Sequence, residues 1–163
     1  MPKEIERKFL VKSDEWRNYI SKTIPIKQAY IYTGPPIALR VRITPEKATL
    51  NLKKSTIDTT RDEFEYEIPR AHAEELLQKF VSGYVIEKLR HIVFYEGIKW
   101  EIDEFLGENE GLILAEVELD EISTVFTKPP WLGEEVSSDF RYLNTYLSQH
   151  PFKKWELNKK ENL

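Results

Sequence analysis

Residues 4–9, Glu4-Ile5-Glu6-Arg7-Lys8-Phe9, decide the fold. Read with a period of two, they place Glu4, Glu6 and Lys8 on one face of a strand and Ile5 and Phe9 on the other. Alone, the pattern describes any sheet with one wet face. The device recurs, however, in Arg40/Arg42, Glu63/Glu65/Glu67, Lys88/Arg90, Glu101/Asp103 and Glu116/Glu118. Within each set the signs match. Side chains two apart on a strand leave Cα atoms about 6.6 Å apart, so like charges repel by about 2.5 kcal/mol at an effective dielectric of about 20. In open water that falls to roughly 0.6 kcal/mol. A solvated face is thus tolerable, whereas an enclosed one needs cations for the acidic sets and anions for the basic ones. A metal polyphosphate complex supplies both.

Working outward, alternation and β-branched or aromatic content predict strands at 3–11, 25–33, 37–44, 48–54, 61–68, 84–95, 98–105 and 112–120. Thr44-Pro45-Glu46-Lys47 and Tyr95-Glu96-Gly97 read as hairpin turns. Helices are expected over 14–22 after Ser13, over 70–81 after Pro69, and over 138–149 on the spacing of Phe140, Leu143 and Leu147. The expected fold is α+β: an eight-stranded antiparallel closed β-barrel with a charged interior, flanked by about three helices. Such a barrel is just wide enough for its own side chains or one small ligand. Residues 1–152 read as one domain, and 153–163 as a polar tail that Trp155 can dock.

The 163 residues, 40% of them apolar, suffice for one core. A net charge of −4 built from many residues of both signs argues against nucleic acid or an anionic membrane as partner. The absence of cysteine removes disulfides, thiolate metal sites and a cysteine nucleophile. No signal-peptide stretch or membrane-length apolar run is present, so the expectation is a soluble cytoplasmic protein. A homodimer is compatible with the sequence and not specified by it.

The chemistry narrows by elimination. There is no GxxxxGK[ST] loop and the six glycines are scattered, so phosphate must be held by side chains. His72, His91 and His150 form no HExxH, which leaves carboxylates as hard ligands and favours Mg²⁺ or Mn²⁺ over Zn²⁺. If the charged faces turn inward, Lys8, Arg40, Arg42, Lys53, Lys88 and Arg90 offer six cations to a triphosphate. Trp16, Trp100, Trp131 and Trp155 read as core or docking anchors, and His91, on the face opposite Arg90, as structural.

Glu4-x-Glu6-x-Lys8 resembles the ExExK signature of the CYTH superfamily, the triphosphate tunnel metalloenzymes. The likeness continues in that family's order through Gln28-Ala29-Tyr30, Leu39-Arg40-Val41-Arg42, Leu50-Asn51-Leu52-Lys53, Glu63 and Glu65 after Arg61, Lys88-x-Arg90, Glu101-x-Asp103, Glu116-x-Glu118 and Arg141-Tyr142-Leu143-Asn144. Ala29 stands where the family usually has glycine. The resemblance implies a tunnel that binds a triphosphate with a divalent metal, closest to the bacterial inorganic tripolyphosphatases. On that basis Glu4, Glu6, Asp103, Glu116 and Glu118 are candidate metal ligands. Lys8, Arg40, Arg42, Lys53, Arg61, Lys88 and Arg90 are candidate phosphate binders. Glu63, Glu65 and Glu101 are supporting acids, and Tyr30 with Lys88 is expected to position the attacking water or the terminal phosphate. Each charged set has an alternative reading as an exposed, salt-bridged sheet face. The expected activity is metal-dependent hydrolysis of inorganic tripolyphosphate, with nucleoside triphosphates as side substrates. A class IV adenylate cyclase, a thiamine triphosphatase and a non-catalytic polyphosphate-binding module remain the alternatives.

Overall fold

The computed structural model describes residues 5–34, 36–54, 63–121 and 123–155. The alternating stretches form one antiparallel sheet of nine strands: β1 Ile5–Val11, β2 Ile20–Tyr32, β3 Ile37–Ile43, β4 Ala48–Lys54, β5 Glu63–Ile68, β6 Ile86–Tyr95, β7 Ile98–Phe105, β8 Ile113–Leu119 and β9 Leu132–Glu135. The helices are α1 Arg70–Lys79 and α2 Asn144–Gln149, with 3₁₀ turns at Glu15–Tyr19, Gly107–Asn109 and Phe140–Tyr142. No helix among the described residues is long and apolar enough to cross a membrane.

Both expected hairpins form. Ile43 faces Ala48 across the Thr44–Lys47 turn, and Tyr95 faces Ile98 across Glu96 and Gly97. The latter two both carry positive φ, 49° and 77°. That is the conformation of a type I′ turn, whose twist matches the strands it joins and which glycine adopts at little cost.

The sheet departs from the closed eight-stranded barrel expected from the alternation. Its strand order is β5-β4-β3-β2-β6-β7-β8-β1-β9, and among the described residues no ladder joins β5 to β9. The ninth strand lies at one edge. It pairs with β1, with Phe9 facing Glu135 and Val11 facing Leu132, so that the open edges among the described residues are β5 and the short β9 instead of β5 and β1. A Cβ on Gly133 would stand 2.9 Å from the Leu10 carbonyl oxygen, so glycine permits this close approach. Arg7 clasps Glu135 through two hydrogen bonds of 3.0 and 2.7 Å. The other end stays open: Phe64 and Tyr66 of β5 are 60% and 61% exposed.

Two expected helices also change. The helix over 14–22 is a 3₁₀ turn ending at Tyr19, because Ile20 to Ile24 join β2 and pair with β6 from Val93 to Arg90. Ladder hydrogen bonds and β-branched side chains outweigh the weak local helix signal. The helix over 138–149 is broken at Leu143, whose φ of −71° and ψ of 141° are extended, leaving α2 with six residues.

Packing divides along the two faces of the sheet. On the outer face Phe9, Trp16, Trp100, Ile102, Val117 and Trp131 form one core, with Trp100 edge-on to Phe9 and Trp131 at centroid distances of 5.8 and 5.4 Å. A second outer core sets Ala73 and Leu77 of α1 against Ala29, Val41, Ile43 and Ala48. On the inner face α2 drives Leu147 among Tyr30, Ala38, Ile86, Phe105 and Leu114, closing one end of the curled sheet. Trp155 packs on Tyr142, Tyr146 and Phe152 beside it. His91 lies on the outer face, between Thr23 and Glu104 at 2.8 and 3.0 Å.

Candidate active site

The inner face beyond Leu147 is polar because charged residues at alternate positions of β1, β3, β6, β7 and β8 turn inward. Across β1 and β8, Lys8 faces Glu116 and Glu6 faces Glu118. Glu116 faces Glu101 on β7, and Asp103 faces Arg90 on β6. On the other limb Tyr30 and Gln28 of β2 face Arg40 and Arg42 of β3, which face Asn51 and Thr49 of β4. A cavity of about 200 Å³ lies between these limbs.

The charges around it are segregated. Glu6, Glu101, Glu116 and Glu118 come from β1, β7 and β8, while Arg40, Arg42, Lys53 and Lys54 come from β3 and β4. Arg90, Lys8 and Glu63 complete the charged lining, with Tyr30 between the two walls. Six cations thus stand against five carboxylates, largely segregated by sign, with Lys8 and Arg90 beside the acids and Glu63 beside Arg40.

Each wall is tied internally. Lys8 Nζ lies 3.4 Å from Glu116 Oε1 and donates to the Tyr142 carbonyl at 3.1 Å. Burial alone would raise Glu116, but Lys8, a hydrogen bond with Glu6 and the charge on Arg90 bring it to about 2. Arg90 donates Nε and Nη2 to Asp103 at 2.8 and 3.0 Å and pairs with Glu101 at 3.1 Å. Lys88 Nζ takes the same Asp103 at 2.7 Å. Arg42 donates Nε to Gln28 Oε1 at 2.8 Å. Burial, with Arg40 and Arg90 close by, lowers Arg42 to about 9. Arg40 lies 3.5 Å from Glu63, and among the described residues its own buried Nε has no acceptor. An anion suits such a donor.

A hard divalent ion suits the acidic wall. Glu6 and Glu116 lie within hydrogen-bond reach of one another, and Glu118 faces Glu6 across the ladder. Among the described residues no three Asp, Glu or His side chains form a ready-made cage. A divalent ion that keeps waters and takes one or two carboxylates together with substrate phosphates does not require such a cage.

Of the residues singled out in the sequence, Glu6, Lys8, Tyr30, Arg40, Arg42 and Lys53 line the cavity, as do Glu63, Arg90, Glu101, Glu116 and Glu118. Lys88, Asp103 and Glu65 do not. Lys88 is buried behind Asp103, and Asp103 faces cations instead of the acidic wall. Glu4 and Arg61 lie outside the described residues. Sequence reasoning gave no role to Lys54, Asn144 and Thr145, which also line the cavity, or to Gln28 and Asn51 beneath it. Asn51 accepts from Thr49 at 2.9 Å and donates to Glu63 and Glu65 at 2.8 and 3.0 Å, clipping both acids to β4. The signal for it was the inward run Thr49-x-Asn51-x-Lys53, polar at every second position.

Comparison with known proteins agrees with this geometry. The CYTH domain family matches residues 2–147. An inorganic triphosphatase of Acetivibrio thermocellus is 44% identical over 156 residues, covering 96% of this chain and 99% of that protein. An inorganic triphosphatase of Nitrosomonas europaea is 35% identical over 149 residues, covering 89% and 96%. The crystal structure of the inorganic triphosphatase NE1496 superposes with a TM-score of 0.68 at 34% identity, covering 91% of this chain and 95% of its own. A family match over residues 2–147, with relatives 44% and 35% identical over nearly the whole length, means that the chain belongs to the CYTH domain family.

Proposed function

We propose that this chain hydrolyses inorganic tripolyphosphate with the help of a divalent metal ion, Mg²⁺ or Mn²⁺. The observation that carries the reading is the pair of facing walls, one acidic and one basic, around a single cavity. The activity named for relatives that align over nearly the whole chain supports it.

Arg40, Arg42, Lys53 and Arg90 bind and orient the phosphate chain, Lys8 joins them from the acidic wall, and Arg61 is assigned to the same group. Glu6, Glu116 and Glu118, with Glu4, would hold the ion. When bound, the ion supplies charge neutralisation and an acidified water. Tyr30, buried but lining the cavity, positions the attacking water. Lys88 acts as a positioning residue: its ammonium restrains Asp103, which restrains Arg90, and it lies 3.4 Å from Asn144 Oδ1. Glu63, Glu65 and Glu101 hold the bases in place. In the reaction the water oxygen bonds to a terminal phosphorus as the bridging P–O bond breaks. The electron pair leaves with pyrophosphate, and the water's proton is released.

A substrate panel tests the proposal. Tripolyphosphate, pyrophosphate, ATP and thiamine triphosphate are each supplied with Mg²⁺ and with Mn²⁺, and both free phosphate and cyclic AMP are assayed. Tripolyphosphate is expected to give the highest kcat/KM. Cyclic AMP from ATP would make the chain a cyclase, and tight binding without turnover would make it a binding module.

A further inference from the structure

The bases of the cavity are not equivalent. Lys8, Arg40 and Arg90 each lie within 3.5 Å of a carboxylate: Glu116, Glu63 and the Glu101/Asp103 pair. Arg42 differs. Among the described residues it makes no ion pair, and its partner is the neutral amide of Gln28, directly opposite on the β2–β3 ladder. Gln28 is fully buried, and its Nε2 finds no acceptor.

That arrangement is expensive in a specific way. A half-buried cation with no direct ion pair, influenced by Asp103 and Glu65 only from a distance, and a buried amide donor without an acceptor are both costly. A glutamate at 28 would reach the same Nε and add a counter-charge. A leucine or methionine would remove the orphaned amide donor but would also take the acceptor from Arg42 Nε. The amide alone aims the guanidinium without neutralising it, because its neutral oxygen accepts from Nε while Arg42 lines the cavity.

We propose that Gln28 is a positioning and specificity-determining residue, which locks the Arg42 guanidinium while leaving its charge for a phosphoryl group of a condensed phosphate to satisfy. The inference rests on the triphosphatase reading above. Arg42 is then where ligand charge is counted. A ligand richer in phosphoryl charge recovers more of the energy stored at this site, and a counter-charge built into the protein cancels that gain.

The full-length chain and its Gln28→Glu and Gln28→Leu variants distinguish the possibilities. Tripolyphosphate binding is measured by calorimetry and turnover by phosphate release, both at fixed free Mg²⁺. Gln28→Glu is expected to raise Kd and KM by about tenfold or more while kcat stays within about threefold, since the lost interaction is one of binding. Gln28→Leu frees the guanidinium and is expected to lower kcat/KM by about tenfold with a normal melting temperature. A folded Gln28→Glu with Kd and KM within about twofold of the parent would overturn the proposal. If that variant does not fold, unchanged kinetics in Gln28→Leu overturn it equally. A parent that binds tripolyphosphate without cleaving it overturns the hydrolase reading instead, and the Kd comparison still judges Gln28. A parent that neither binds nor cleaves it overturns both.

Discussion

Lys88 and Asp103 form the most enclosed ion pair among the described residues, 2.7 Å apart, with side chains 0% and 4% exposed. Burial brings Lys88 down to about 8 even with Asp103 beside it, and Lys88 and Arg90 hold Asp103 far below the usual carboxylate range against burial. The pair is a buried foundation under Arg90, whose guanidinium reaches the cavity.

Removing one member should therefore cost more than the pair's net worth. Asp103→Asn is expected to lose on the order of 3–5 kcal/mol of stability, because it strands a buried ammonium. Urea denaturation measures this. Lys88→Met in the same background should recover part of the loss, and no recovery would mean that the ammonium is not the stranded group.

The acidic wall should govern metal use and leave the fold intact. Glu6→Gln is expected to lower metal-dependent phosphate release by about 10²-fold or more while the circular dichroism spectrum is unchanged. Chelation with EDTA should abolish release in the parent, and Mg²⁺ or Mn²⁺ should restore it. Full activity in Glu6→Gln would exclude Glu6 from the metal site.

Acid stability should report on Glu116. Its folded value of about 2 lies below the ordinary 4.5. A carboxylate depressed on folding contributes stability that is fully present above the unfolded value and is lost as pH falls toward the folded one. With EDTA present, stability should decline from about pH 4.5 toward pH 2, with Glu116 accounting for roughly 2–3 kcal/mol of the fall. Glu116→Gln should flatten that slope, as a series of denaturation curves would show.

Tyr30 lines the cavity and belongs to the packing around Leu147. Tyr30→Phe keeps the ring, so stability should change by less than about 1.5 kcal/mol. Turnover of tripolyphosphate should fall by about tenfold or more if the hydroxyl positions water. Unchanged turnover and substrate preference would remove Tyr30 from the chemistry.

Leu147 anchors the helix whose first residues, Asn144 and Thr145, line the site. Leu147→Ala is expected to cost about 2–5 kcal/mol and to raise KM. A stability loss with kinetics untouched would show that α2 is only a plug.

Much of this site was legible because a strand's period of two converts spacing directly into facing. Glu6 and Lys8, Arg40 and Arg42, and Glu116 and Glu118 all line one cavity, as their alternation required. Lys88 and Asp103 follow the same rule but lie deeper. Alternation specifies the face of a sheet and carries no information about depth. The helix expected over 14–22 failed for a related reason. Trp16 through Lys22 carry little local preference, and the edge of β6 claims residues from Ile20 onward.

By itself, the sequence determined which residues would share an interior and what charges they would bring there, since both follow from local periodicity and residue chemistry, while the order of its motifs carried the resemblance to the family. Tertiary structure alone decided that the sheet stays open and that Arg42 answers to an amide. Leu132–Glu135 is too short, and with Gly133 too weakly β-forming, to declare itself as a strand, yet once laid along β1 it replaces β1 as an edge of the sheet. Gln28 and Arg42 stand fourteen residues apart in the chain, and only the register of β2 against β3 brings them together.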